Sequence, residues 1–106
     1  MEQISAKELK QWMDGGEVFQ LVDVREPFES DIARIPGANL IPLGTLENRL
    51  DEIDKHKTVV VHCRSGVRSA KAIEFLRAKG FTNRLVDLKG GVLAWSDEVD
   101  PSVTKY

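Results

Sequence analysis

The 106 residues predict an α/β fold built on a mainly parallel sheet. Short runs of β-branched and apolar residues alternate with segments whose apolar positions recur every three or four residues. The strongest run, Val59-Val60-Val61, is apolar at every position and not at every second one. That is the pattern of a strand covered on both faces, as in a parallel sheet. Glycine and proline fall between the segments and punctuate them.

Ile4 marks a short extended start. Ser5 with Glu8 is a capping-box pair that opens a helix over Ala6–Asp14, with Leu9, Trp12 and Met13 as its apolar stripe and Gly15-Gly16 as its stop. A strand follows over Val18–Val24. Pro27 then sits at a first helical position, starting a short helix through Asp31. Ile35-Pro36-Gly37-Ala38 is a turn, Asn39–Ile41 a brief strand, and Thr45 begins a helix carrying Leu46, Leu50 and Ile53 on one side. His56 lies in a polar connection and reads as a solvated residue. After the Val59 strand and its loop, a helix runs from Ser69 to Lys79 with Ala72, Ile73 and Leu76 inward. Phe81–Leu88 is the last strand. Lys89-Gly90-Gly91 turns into a short helix containing Leu93 and Trp95, and the polar tail from Ser96 to Tyr106 should wrap the surface.

The stretch that carries chemistry is Val59–Ala70. His62 ends the strand and Cys63 opens the loop Arg64-Ser65-Gly66-Val67-Arg68, which feeds the helix. Such a loop aims several main-chain N–H groups at one point, which makes an anion site before any side chain is counted. There the Cys63 sulfur meets the positive end of a helix, with Arg64 and Arg68 nearby in sequence, and both effects favour thiolate over thiol. A lone cysteine is ordinarily a small buried hydrophobe. Cys63 differs in following an apolar strand instead of lying within one, and in its basic surroundings. Lys55, Lys57, Arg64, Arg68 and Lys71 all fall between Lys55 and Ile73, where there is no Asp or Glu. Asp23 stands at the carboxyl end of the other long strand, the edge where open α/β sheets place their sites. A cap or a salt bridge that fixes an arginine near the loop suits it better than acid–base chemistry.

Composition bounds the rest. With 42% hydrophobic and 30% charged residues, the chain is expected to be one domain over residues 1–106. The net charge of -2 argues against nucleic acid as a partner. No apolar run is long enough for a membrane helix and no secretory signal follows Met1, so a cytoplasmic location is expected. A single cysteine excludes an internal disulfide, a cysteine-based zinc site and an internal resolving thiol. No cofactor and no metal are expected.

Four stretches in this order and spacing resemble a single rhodanese domain: LVDVREPFE (Leu21–Glu29), IPGANLIPL (Ile35–Leu43), VVHCRSGVRSA (Val60–Ala70) and KGGVLAW (Lys89–Trp95). The resemblance implies a five-stranded, mainly parallel sheet with helices on both faces. It also implies that Cys63 carries a sulfane sulfur as a persulfide. By it, the N–H groups of Arg64, Ser65, Gly66, Val67, Arg68 and Ser69 hold the outer sulfur, Arg64 and Arg68 attract an anionic donor such as thiosulfate, and Asp23 supports the architecture. Ala33-Arg34 stand where many members have Gly-His. That variant and the ending GGVLAWSDEVDPSVTKY are similar to the rhodanese domain at the C-terminus of adenylyltransferase-sulfurtransferases of molybdopterin and thiamine pathways. The partners so implied are a ubiquitin-like sulfur-carrier protein and an adenylating enzyme. The adenylating part has no counterpart in these residues, which fits a free-standing relative or one domain of a longer protein.

The expected function is therefore that of a thiosulfate sulfurtransferase-like enzyme: the thiolate takes a sulfur and passes it on, covalent catalysis in two steps. Two alternatives compete. A dual-specificity-type phosphatase would need one more residue between its cysteine and arginine than Arg64, Ser65, Gly66 and Val67 provide. A non-catalytic anion-binding or docking module would have little use for a cysteine in a basic loop.

Overall fold

The computed structural model describes residues 1–106. Its strands are β1 (Gln3–Ile4), β2 (Phe19–Asp23), β3 (Asn39–Leu40), β4 (Thr58–His62) and β5 (Leu85–Leu88). Its helices are α1 (Ala6–Asp14), α2 (Pro27–Ile32), α3 (Val67–Ala78) and α4 (Gly91–Glu98), with a 3-10 segment over Leu43–Glu52. The strands form one five-stranded sheet, ordered β1-β5-β4-β2-β3, and every pairing is parallel. This is the expected fold class.

β4 lies at the centre, and its three valines are fully buried. Side chains alternate across a strand, so Val59, Val61 and Cys63 join one core and Val60 the other. The first core packs under α3 and the 3-10 segment, with Val22, Leu46, Ala72 and Leu76. The second packs under α1 and α4, with Leu9, Leu21, Val86 and Trp95. α1 opens as its sequence dictates: the Glu8 N–H donates to Ser5 Oγ at 3.1 Å and the Ser5 N–H to Glu8 Oε1 at 3.3 Å.

Several boundaries differ from the expectation, each for a local reason. The helix placed from Thr45 is a 3-10 segment beginning at Leu43 and kinked at Arg49, whose φ is -128°. The Leu43 N–H donates to the Val24 carbonyl and the Thr45 N–H and hydroxyl to the Pro42 carbonyl, which draws the chain into tight turns. The last strand starts at Leu85 and not at Phe81. Arg77 donates to the Phe81 and Asn83 carbonyls, and the Asn83 amide donates to the carbonyls of Asp54 and Lys57, so side chains tie residues 81–84 into a turn. α3 begins two residues early, at Val67, because Gly66 supplies a left-handed φ of +118° just before it. Finally, the tail does more than wrap the surface. α4 continues to Glu98, and Val103 and Tyr106 pack half-buried on the second core.

Candidate active site

Cys63 is the first residue beyond β4 and is 1% exposed. Its Sγ accepts the Gly66 N–H at 3.1 Å and the Ser69 N–H at 3.4 Å. The N–H groups of Arg64, Ser65, Val67 and Arg68 donate to no protein atom, and those of Val67 and Arg68 are first-turn donors that a helix cannot satisfy itself. Strand, loop and helix thus bring together Cys63 and the main chain of Gly66 and Ser69, and leave four further donors on the same loop.

A second element fixes the loop from behind. At the start of α4, the Val92 N–H donates to the Cys63 carbonyl at 3.0 Å and the Leu93 N–H to the Arg64 carbonyl at 3.2 Å. Gly91 makes this approach possible. A Cβ there would stand 2.4 Å from the Cys63 carbonyl oxygen and 2.5 Å from that of Arg64. Gly91 therefore serves the cysteine loop as well as the corner.

The arginines are not the free cations that the local sequence suggests. Arg68 donates to both oxygens of Glu29, at 2.5 and 2.8 Å. Glu29 is buried and also accepts the Tyr106 hydroxyl at 2.7 Å and the Glu26 N–H at 3.1 Å. The Arg68 bond, with the Tyr106 and Glu26 bonds behind it, outweighs burial and holds the Glu29 carboxyl down to about 2. Arg64 is exposed, lies against the Tyr106 ring with its Cζ 5.2 Å from the centroid, and donates to the Tyr106 main-chain oxygen. The basic loop is acid-free only along the chain; α2 brings a carboxylate to it.

Asp23 makes a two-pronged pair with Arg25, Nε to Oδ1 at 2.9 Å and Nη2 to Oδ2 at 2.7 Å, and neither residue is more than 1% exposed. Arg25 also donates to the carbonyls of Ala33 and Glu29 and to the Tyr106 hydroxyl oxygen. This network joins the end of β2 to α2, Tyr106 and, through Glu29, Arg68. His62 Nε2 lies 3.8 Å from Asp23 Oδ2 and has no hydrogen-bond partner. Burial lowers the His62 pKa, so the ring is neutral and this contact is not an ion pair.

Sequence reasoning missed Asp87. It lies on β5, buried, and accepts the Ser69 hydroxyl at Oδ1, 2.5 Å away. Ser69 Oγ is 3.4 Å from Cys63 Sγ. The signal was a lone acid within the apolar run Leu85–Leu88. Glu29 lay inside a recognisable stretch but had no visible partner, and nothing in the sequence pointed to Tyr106. The largest cavity, about 390 Å³, opens at the opposite edge of the sheet among Phe19, Asn39, Asp51 and Asp54, and takes no part in the cysteine site.

Fold and loop define a class: parallel α/β domains that present a cysteine on a strand-to-helix loop at the carboxyl edge of the sheet. The chain belongs to the rhodanese-like domain family, whose model matches residues 5–98. It is similar to a sulfurtransferase of Allochromatium vinosum, 36% identical over 91% of this chain and 89% of that protein. It is also similar to MoeZ of Mycobacterium tuberculosis, named a probable adenylyltransferase/sulfurtransferase, at 38% identity over 97% of this chain. The chain spans 26% of the length of MoeZ. Among solved structures, a rhodanese-like domain protein of Staphylococcus aureus superposes with a TM-score of 0.84 and 38% identity, covering 93% of this chain and 95% of that one. Family and relatives support a sulfurtransferase role.

Proposed function

We propose that Cys63 is the sulfur carrier, taking a sulfane sulfur from an anionic donor such as thiosulfate and passing it to a nucleophilic acceptor. The observation that carries this reading is the sulfur of the chain's single cysteine, set among converging loop N–H donors. The Cys63 thiolate attacks the outer sulfur of thiosulfate. A sulfur–sulfur bond forms, the bond to the sulfonate breaks, and sulfite leaves with its electron pair. The negative charge now rests on the terminal sulfur of the persulfide. The N–H groups of Arg64, Ser65, Val67 and Arg68 are the donors left to hold it. Arg64, exposed beside the loop, is the cation an approaching donor meets, and Asp23 supports the edge through Arg25. Arg68 acts mainly through Glu29, fixing α2 against the loop.

The acceptor reading follows the match to MoeZ. An adenylated C-terminal carboxylate of a small sulfur-carrier protein would be attacked by the terminal persulfide sulfur, displacing AMP and leaving an acyl disulfide. With no second cysteine here, an outside thiol must then reduce that disulfide to release the thiocarboxylate.

Intact mass after incubation with thiosulfate tests the first reading. Wild type should gain one sulfur and lose it to cyanide, whereas Cys63→Ser should fold and gain none. Sulfur uptake by that variant, or none by wild type, would remove Cys63 as the carrier. For the acceptor, a carrier protein, ATP, an adenylating enzyme, thiosulfate and a reductant are combined. Thiocarboxylate should form with wild type above the level seen with Cys63→Ala; equal yields with intact thiosulfate turnover would refute the carrier.

A further inference from the structure

Beside the sulfur stands a hydroxyl with more acceptors than protons. Ser69 Oγ lies 2.5 Å from Asp87 Oδ1, 3.1 Å from the Gly66 carbonyl oxygen and 3.4 Å from Cys63 Sγ. Its one hydrogen can serve only one of them. If Asp87 is ionised, the shortest contact takes that hydrogen, and Ser69 turns lone pairs toward the sulfur. A thiolate would then face lone pairs and, beyond them, a second anion. If Asp87 carries a proton, it donates to Ser69 Oγ, and the Ser69 hydrogen is free to point at the sulfur.

The surroundings of Asp87 favour the second arrangement. It is 2% exposed, and no Lys, Arg or His pairs with it. Its other side-chain contact is the Gln3 amide of β1, donating to Oδ2 at 3.5 Å. From β4 it faces Val61, and on the loop side it lies near Gly66, which carries no side chain. The charged neighbours in sequence and register, Lys89 and Glu2, are exposed. Burial lifts its carboxyl above the ordinary range, against the smaller opposing effects of Ser69 and Gln3. The nearest titratable partner is Cys63, through Ser69.

We propose that Ser69 and Asp87 form a proton-holding pair for Cys63: Asp87 takes the cysteine proton through the Ser69 hydroxyl and, while holding it, makes that hydroxyl a further donor to the sulfur anion. The Cys63 S–H bond breaks with its electron pair left on sulfur, and its proton bonds to Ser69 Oγ. Ser69's own proton passes to Asp87 Oδ1. Cys63, Ser69 and Asp87 together keep one negative charge: thiol and carboxylate become thiolate and acid. The thiolate then accepts from the Gly66 N–H, the Ser69 N–H and the Ser69 O–H. Asp87 is a positioning residue here, since it reaches the sulfur only through Ser69. The inference rests on Cys63 being the sulfur carrier.

Persulfide formation from thiosulfate, followed against pH in wild type, Asp87→Asn and Ser69→Ala, tests it together with infrared spectra. Wild type should show two coupled ionisations and D87N one. S69A, which loses a donor to the anion, should slow by roughly tenfold or more. The infrared spectrum should show a carboxylic-acid stretch in wild type that D87N lacks. That band should disappear at a lower pH once iodoacetamide has alkylated Cys63, because the neighbouring anion is gone. A purely structural role would lower stability and leave the pH profile alone. D87N with the wild-type profile, S69A within about twofold of wild type, or a band indifferent to alkylation would overturn the pair. Should D87N not fold, S69A and the wild-type band decide. If wild type gains no sulfur from thiosulfate, the carrier reading fails, while the infrared titration still judges the pair.

Discussion

Glu29 holds the arginine side of the site together, and its titration shows how strongly. The carboxyl is held at about 2 against an ordinary 4.5. A depressed carboxyl stabilises the fold fully above the unfolded value and loses that contribution as pH falls through the folded one. The interval corresponds to roughly 3 kcal/mol. Urea stability should therefore be flat from neutrality to about pH 5 with respect to this group and fall between there and pH 2; in Glu29→Gln that acid-side fall should shrink by about this amount. An unchanged acid limb would show that Arg68 and Tyr106 do not hold the carboxylate. Asp23 is tested by Asp23→Asn. Arg25 is fully buried, so removing its charged partner should cost about 3–5 kcal/mol in urea denaturation. A cost below about 1 kcal/mol would mean that the Ala33 and Glu29 carbonyls suffice to hold the guanidinium.

The element that sets the geometry of the cysteine loop is the N-terminus of α4. Its Val92 and Leu93 N–H groups are among the donors a helix cannot satisfy internally, and they take the carbonyls of Cys63 and Arg64. That anchors the two peptides that follow the cysteine, whose N–H groups, those of Arg64 and Ser65, are two of the open donors of the loop. Gly91→Ala should displace this contact, since the new Cβ would overlap two main-chain oxygens, and its φ of +57° adds strain. Gly80→Ala is the control: its φ of +94° is also left-handed, but a Cβ there meets nothing. We expect G80A to cost about 1–2 kcal/mol and keep sulfur uptake. G91A should cost more and lose most of the uptake. Equal behaviour of the two in a thiosulfate assay would show that α4 does not position the loop.

At the scale of the molecule, the sheet is shared by two cores of similar size, 13 and 11 buried residues, so neither face is a subdomain of the other. Val59 and Val61 serve one core and Val60 the other, which couples the faces through β4. Unfolding should be a single transition. Trp12 and Trp95 lie on the α1 and α4 side and report it by fluorescence, while Cys63 belongs to the opposite core and reports it by thiol labelling. The two midpoints in urea should coincide. Separate midpoints would show that the cysteine loop opens independently of the sheet.

Local chemistry made much of this legible beforehand. The Ser5–Glu8 box and the unbroken valines of β4 specify their elements through short-range effects, because capping and strand patterning act within a few residues. The cysteine on its strand-to-helix loop was visible for the same reason. The charges around it were not. Glu29 and Arg68 are 39 positions apart, and Ser69 and Asp87 are 18 apart. Such pairs exist only once parallel strands bring the carboxyl edges of β2, β4 and β5 side by side. Spacing along a chain cannot say which acid meets which arginine, nor which carboxylate is stripped of water. The sequence by itself determined where the sulfur stands and what class of fold presents it. The tertiary structure decided which charges that sulfur faces, since these are set by contact and burial across the sheet.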